Sequence, residues 1–149
     1  MKDIRQKLVE MLKEGHCTPR ISSIAKRLKV PATTIHYNIK RLEKEGAIKS
    51  YKSVFNYREI GQGHCTYVLV NLVEGKYGDP EEVAKEIAKN SNVESVDIVT
   101  GDYELILKLR SRDIDDYYSF VKFAIKKYGF AKAISLTSLK QIKTEFVTL

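Results

Sequence analysis

The hydrophobic period of this chain changes once, at Gly46. Before it, apolar residues recur at helical spacing. After it, alternation and short continuous apolar runs take over, interrupted by two further helical stretches. The chain therefore reads as three helices followed by a mixed unit of strands and helices, an α+β organisation.

The first segment, "KDIRQKLVEMLKEG", places Ile4, Leu8, Met11 and Leu12 on one helical face and stops at Gly15. A polar connector, "HCTPR", leads into "ISSIAKRLKV", where Ile21, Ile24, Ala25 and Leu28 mark a second short helix. The break at Lys29-Val30-Pro31 precedes a third helix, because proline cannot continue a helix but sits well at the start of one. That third helix, "VPATTIHYNIKRLEKEG", has an apolar stripe of Ile35, Ile39 and Leu42 and closes at Gly46. Its other stripe opens with Thr33, Thr34, His36, Tyr37 and Asn38 and turns to Lys40, Arg41 and Lys44. A merely solvated face favours Glu, Lys and Gln; here stand hydrogen-bonding side chains of modest helix propensity followed by a basic turn.

Two short helices joined by a tight turn, with Ala25 small enough for a close crossing, form a helix-turn-helix. In that geometry the front of the second helix enters the DNA major groove. Thr33, Thr34, His36 and Tyr37 are then the base-facing candidates, and Lys26, Arg27, Lys40, Arg41 and Lys44 the phosphate-facing ones. Charge supports this. The chain carries a net +7, yet residues 1–60 hold 14 of the 26 Lys+Arg and only 6 of the 19 Asp+Glu. The whole positive excess lies in that first part, the footprint of a nucleic-acid-binding segment joined to something else.

Beyond Gly46, "AIKSYKSVFNYREIG" shows strand-like alternation with polar interruptions and reads as an extended linker strand over 49–62. "HCTYVLVNLVE" is a strand apolar on both faces, expected to be covered on both sides. "DPEEVAKEIAKN" is a helix with Asp79 as N-cap, Pro80 at its first position and two glutamates against the dipole. "VESVDIVTG" and "YELILKLRS" are strands expected to meet in a two-residue turn at Gly101-Asp102. "RDIDDYYSFVKFAIKKYG" is a helix with Ile114, Tyr117, Val121 and Ile125 on its apolar face, ending at Gly129. "AKAISLTSLKQIKTE" is a last strand. The order βαββαβ is the ferredoxin-like split arrangement, two helices on one face of a four-stranded antiparallel sheet. The uncovered face predicts a homodimer. Expected boundaries are a DNA-binding domain over 1–48, the linker, and a dimerisation domain over 63–149.

Other chemistries find little support. "GHC" occurs twice, at 15–17 and 63–65, but adjacent His-Cys pairs are poor chelates and fall in different domains, so no metal site is expected. There is no Gly-rich phosphate loop, no GxSxG and only three histidines, so no enzyme and no cofactor are expected. No apolar run is long enough for a membrane span, no signal peptide precedes the first helix, and two cysteines without CxxC spacing point to a reducing cytoplasm.

The stretches "IAKRLKVPATTIHYNIKRLEKEGAIKSY" and "VESVDIVTGDYELILKLRSRD", in that order, resemble the Lrp/AsnC (feast/famine) family of transcriptional regulators. The resemblance implies a helix-turn-helix (winged-helix-like) DNA reader and a ligand-sensing βαββαβ domain. It also implies dimers that assemble as far as octamers, and an amino-acid effector held between dimers near a Gly-containing hairpin. Gly101, Asp102, Tyr103 and Glu104 match that hairpin, and Thr137 and Ser138 lie on the last strand, taken to border it. Asp102 would hold the ammonium; backbone N–H groups, or Thr137 and Ser138, would hold the carboxylate. On the residues alone, Gly101-Asp102 is equally a plain hairpin turn.

Four departures stand out. Glu104 replaces the family's usual Asp, and Lys29 sits where a glycine usually allows positive φ. Pro31 replaces a capping serine, and Asn38 replaces an arginine. Two other readings stay open: an architectural DNA-coating protein without effector, and a sensor or enzyme whose helix-turn-helix only contacts protein.

Overall fold

The computed structural model describes residues 4–75, 79–145 and 147–148. Lys2 and Asp3, at the head of the expected first helix, lie outside them. The chain divides into two compact units, one ending at Phe55 and one starting at Asn56.

The first unit contains α1 (Ile4–Lys13), α2 (Ile21–Leu28) and α3 (Ala32–Lys44). Helices α2 and α3 pack on each other, burying Ala25 and Ile35. Lys29 follows α2 in the left-handed region, φ 56° and ψ 43°, and its N–H donates to the Ala25 carbonyl. A lysine thus holds the turn conformation expected of glycine, at a cost of about 1 kcal/mol. Pro31 is the N-cap of α3 rather than its first helical residue, and it offers no side-chain cap. Gly15 has φ +89°, and a Cβ there would stand 2.7 Å from Ser50 Oγ and 2.9 Å from the Tyr51 carbonyl, so it is needed for both conformation and close approach.

The apolar faces in this unit are partly misassigned by spacing alone. α1 buries no residue: Ile4, Leu8 and Met11 are exposed, while Val9 and Leu12 are half-buried. Leu28 and Leu42 are also exposed. The helices are too few and too short to cover every apolar position.

The second unit contains β1 (His64–Leu72), α4 (Pro80–Ala88), β2 (Val93–Ile98), β3 (Leu105–Ser111), α5 (Ile114–Tyr128) and β4 (Phe130–Thr137). The antiparallel sheet has the order β2-β3-β1-β4, the ferredoxin-like topology read from the element order. Asp79 caps α4 by accepting from the Glu82 N–H, and Asp113 caps α5 by accepting from the Asp116 N–H. Gly129 ends α5 with φ 71°. The core lies between the helices and one sheet face: Val68, Val70 and Leu72 of β1, Leu105, Leu107 and Leu109 of β3, Ile87 of α4, and Phe120 and Ala124 of α5. The other sheet face, with Tyr67, Leu69, Ile106, Ile134 and Leu136, has no helix of this unit over it among the described residues.

Four expectations need correction. No strand forms over 49–62; residues 57–61 make a turn closed by the Gln62 N–H on the Tyr57 carbonyl at 2.8 Å. The β2–β3 connection is not a two-residue turn, because the ladder ends at Ile98↔Leu105 and leaves a six-residue loop. α5 buries Tyr117, Phe120, Ala124 and Tyr128, whereas Ile114 and Ile125 are exposed. The last segment is not one strand: β4 stops at Thr137, and a small hairpin of β5 (Lys143–Thr144) and β6 (Val147–Thr148) follows. No described helix is long and apolar enough to cross a membrane.

Candidate nucleic-acid interface and effector loop

Burying Ile35 fixes the rotation of α3 and turns Thr33, Thr34, His36 and Tyr37 to solvent, with Lys40, Arg41 and Lys44 following on the same side. Asn38 is spent locally: its Nδ2 donates to the Thr34 carbonyl at 2.8 Å. Lys26 and Arg27 are exposed in the last turn of α2.

The basic turn of α3 carries its own counter-ions. Lys40 Nζ lies 2.8 Å from Glu43 and Arg41 Nε 2.7 Å from Glu45. Glu43 also accepts from the Tyr51 hydroxyl at 2.8 Å. Hydrogen bonds from Lys40 and then Tyr51 hold the Glu43 carboxyl below its ordinary range. Burial and the Glu43 carboxylate push the Tyr51 phenol up. Exposed pairs of this kind contribute only about 0.2–1 kcal/mol, so a DNA phosphate can replace the glutamate.

In the second unit, Gly101, Asp102, Tyr103 and Glu104 gather in the β2–β3 loop at one end of the sheet. The loop closes through the Val99 N–H on the Glu104 carbonyl at 2.9 Å, and Gly101 takes φ +113° with open space around it. Asn71 of β1 brackets the loop. Its Nδ2 donates to the Asp102 carbonyl at 2.8 Å and its Oδ1 accepts from the Glu104 N–H at 3.1 Å. The Glu104 carboxylate in turn accepts from the Leu72 N–H at 2.7 Å, beside a bulge in the β1–β4 pairing at Asn71/Leu72. Lys132 Nζ stands 5.3 Å from the centre of the Tyr103 ring. Sequence reasoning missed Asn71 and Lys132; the one available signal was an asparagine inside an otherwise apolar strand.

Thr137 and Ser138 do not border this loop within one chain. Thr137 pairs with Thr66, and the Ser138 N–H donates to the Cys65 carbonyl at 2.9 Å, at the far end of β1. Five residues of strand separate Thr66 from Asn71, about 16 Å at the usual rise. Thr137 belongs instead to a polar end of the helix-side face. There Tyr117 shares a hydrogen bond with Ser135 and lies 5.8 Å from the His64 ring, and the buried Ser111 hydroxyl has no hydrogen-bond partner among the described residues.

The open sheet face carries a charged cluster that sequence also missed. Glu94 accepts from Lys108 at 2.9 Å and from Arg110 Nε at 2.5 Å, and Arg110 donates to Gln141 at 2.8 Å. The Tyr57 ring lies 3.8 Å from the Arg110 guanidinium. Burial pushes the Glu94 carboxyl up, but the hydrogen bonds from Lys108 and Arg110 outweigh it and leave the group below its ordinary range. Among the described residues no cluster of His, Cys, Asp and Glu could hold a metal ion, and Cys17 and Cys65 are both free thiols.

Comparison with known proteins settles the family. The Lrp/AsnC ligand-binding domain matches residues 65–148, and a winged helix-turn-helix DNA-binding domain matches residues 1–49. The chain belongs to the Lrp/AsnC family. As a member of it, the chain is a DNA-binding transcriptional regulator. It is 32% identical to an uncharacterised helix-turn-helix-type transcriptional regulator of Pyrococcus furiosus, over 93% of this chain and 92% of that one. An AsnC family regulator from Agrobacterium tumefaciens shares the fold at a TM-score of 0.75 and 19% identity, covering 97% of this chain and 94% of that one. A feast or famine regulatory protein of M. tuberculosis complexed with L-methionine aligns at a TM-score of 0.74 and 19% identity, over 97% of this chain and 95% of that one.

Proposed function

We propose that this Lrp/AsnC regulator reads a specific DNA sequence as a homodimer and responds to an amino acid. The observation that carries the reading is the exposed front of α3, where Thr33, Thr34, His36 and Tyr37 stand opposite the packed Ile35 and ahead of a basic turn. Hydroxyl, imidazole and phenol groups can both donate to and accept from base edges, and the Thr methyl can meet a thymine methyl. Lys26, Arg27, Lys40, Arg41 and Lys44 supply sequence-independent, salt-dependent attraction.

The open sheet face supports pairing of two chains. Tyr67 and Leu69 are half-buried there, and Ile134 and Leu136 are exposed, so a second copy would finish the burial that β1 begins. Two-fold symmetry then calls for an inverted repeat whose half-sites lie about one helical turn apart or a multiple of it.

The effector reading rests on the loop at Gly101-Asp102-Tyr103-Glu104 and on the methionine carried by the M. tuberculosis relative. The exposed Asp102 suits an ammonium, and Lys132 beside Tyr103 suits a carboxylate. Thr137 and Ser138 can join only from another chain, which fits an effector held between dimers in an assembly as large as an octamer. The effector acts by binding one assembly state more tightly than another.

The test is a competition binding measurement on DNA from upstream of the protein's own coding region, against a scrambled duplex at near-physiological salt. An affinity ratio of about a thousand or more supports specific reading. A ratio near one on this DNA and on sites recovered by selection, with a steep salt slope, replaces it with the architectural reading.

A further inference from the structure

Helix α5 carries more apolar surface than its own unit uses. Tyr117, Phe120, Ala124 and Tyr128 are buried in the core. Beside them runs a second row at the same helical spacing: Ile114, Tyr118, Val121 and Ile125. Ile114 is 57%, Tyr118 60% and Ile125 48% exposed, and Val121 is partly buried. Single exposed apolar residues are ordinary, but a row running most of the length of a fifteen-residue helix is not.

The row has the spacing of a palindrome. It advances by four, three and four residues, the same in either direction. Laid antiparallel on a second copy about a point between residues 119 and 120, Ile114 meets the second copy's Ile125, and Tyr118 meets the second copy's Val121. The two-fold axis repeats both contacts.

Charge selects the same arrangement. One exposed flank of the row holds Asp115, Lys122 and Lys126. In an antiparallel two-fold pair, like flanks face each other, which sets Asp115 midway between Lys122 and Lys126 of the second copy. A parallel pair would instead set this flank against the opposite one, where Tyr117 and Ala124 are buried in the core, and would give Asp115 no lysine. Asp115 and Lys126 have no ion pair with any described residue of their own chain, so both are available for the contact.

The geometry points to a two-fold contact of α5 on α5 between two copies of this chain. It uses the helix layer, on the side of the sheet away from the open face, and so is separate from the sheet-face pairing proposed above. A chain with two different self-complementary surfaces links dimers into closed rings or open filaments rather than stopping at two copies.

The experiment is the solution mass of the full chain by light scattering after size-exclusion chromatography. The wild type is expected at four or more chains, and Tyr118→Glu at two. Asp115→Lys alone and the double variant Lys122→Glu/Lys126→Glu alone are each expected at two chains. Mixing these two in equal amounts places opposite charges together again and restores the larger particle, an outcome that misfolding does not produce. A wild type of two chains, a mass unmoved by Tyr118→Glu, or mixing without recovery overturns the contact. Leu136→Asp reports on the sheet face alone. If it leaves the mass unchanged while Tyr118→Glu lowers it, the sheet pairing fails and the α5 contact stands.

Discussion

Lys29 and Gly15 show how two single residues set the shape of the DNA-binding unit. Lys29 holds φ 56° at the end of α2, where a side chain crowds its own backbone. Lys29→Gly is expected to raise unfolding free energy by up to about 1 kcal/mol, less whatever is lost to greater freedom of the unfolded chain. Urea titration followed by circular dichroism reads this, and an equal or lower midpoint refutes the strain. Gly15→Ala is expected to act in the other direction, lowering stability by about 1–3 kcal/mol, because the new Cβ meets backbone as well as taking a positive φ. The strain at Lys29 was legible only through the family resemblance, which puts a glycine at that turn position. The crowding at Gly15 was not, since Ser50 and Tyr51 come to it from more than thirty positions along the chain.

On the proposed reading, helix α3 separates two jobs along its length. Thr34→Ala removes the hydroxyl proposed to face a base while leaving the carbonyl that Asn38 uses, so it should flatten preference among sequences at little cost in stability. Lys40→Ala should weaken all DNA alike and reduce the salt slope by about one. Equal behaviour of the two variants in a binding series across salt would refute the division. Helix positions were legible because caps and breakers are local: Asp79, Asp113, Pro31 and Gly129 all stand where helix ends fall. Buried faces were less so. On α5, Ile114 and Ile125 have the right spacing, yet Tyr117, Phe120 and Ala124 won the core because an adjacent arc also carries apolar groups, and only the sheet decides between them.

At the scale of the molecule, the open sheet face and its charges govern behaviour. Glu94→Gln would leave Arg110 buried with a weaker partner, at a cost of about 3 kcal/mol. Because the folded-state carboxyl lies below its unfolded value, its contribution is complete above about pH 4.3 and is lost as pH falls toward the folded value. Thermal unfolding should therefore separate wild type from Glu94→Gln at neutral pH and bring them together in acid; a constant gap would exclude the ionised pair as the cause. The topology was legible from element order, since βαββαβ admits few arrangements. The place of Thr137 follows from the same topology: β4 runs antiparallel to β1, so its last residue lies beside the start of β1, whereas the β2–β3 loop lies beside the end of β1. The bracket that Asn71 and Glu104 place on the Gly101 loop has one more consequence. The loop is already fastened at both sides before any small molecule arrives, so little ordering is left for a ligand to drive. On the proposed reading, a message sent from this loop travels as mortar between blocks, by changing which chains adhere, and not as the folding of a flap.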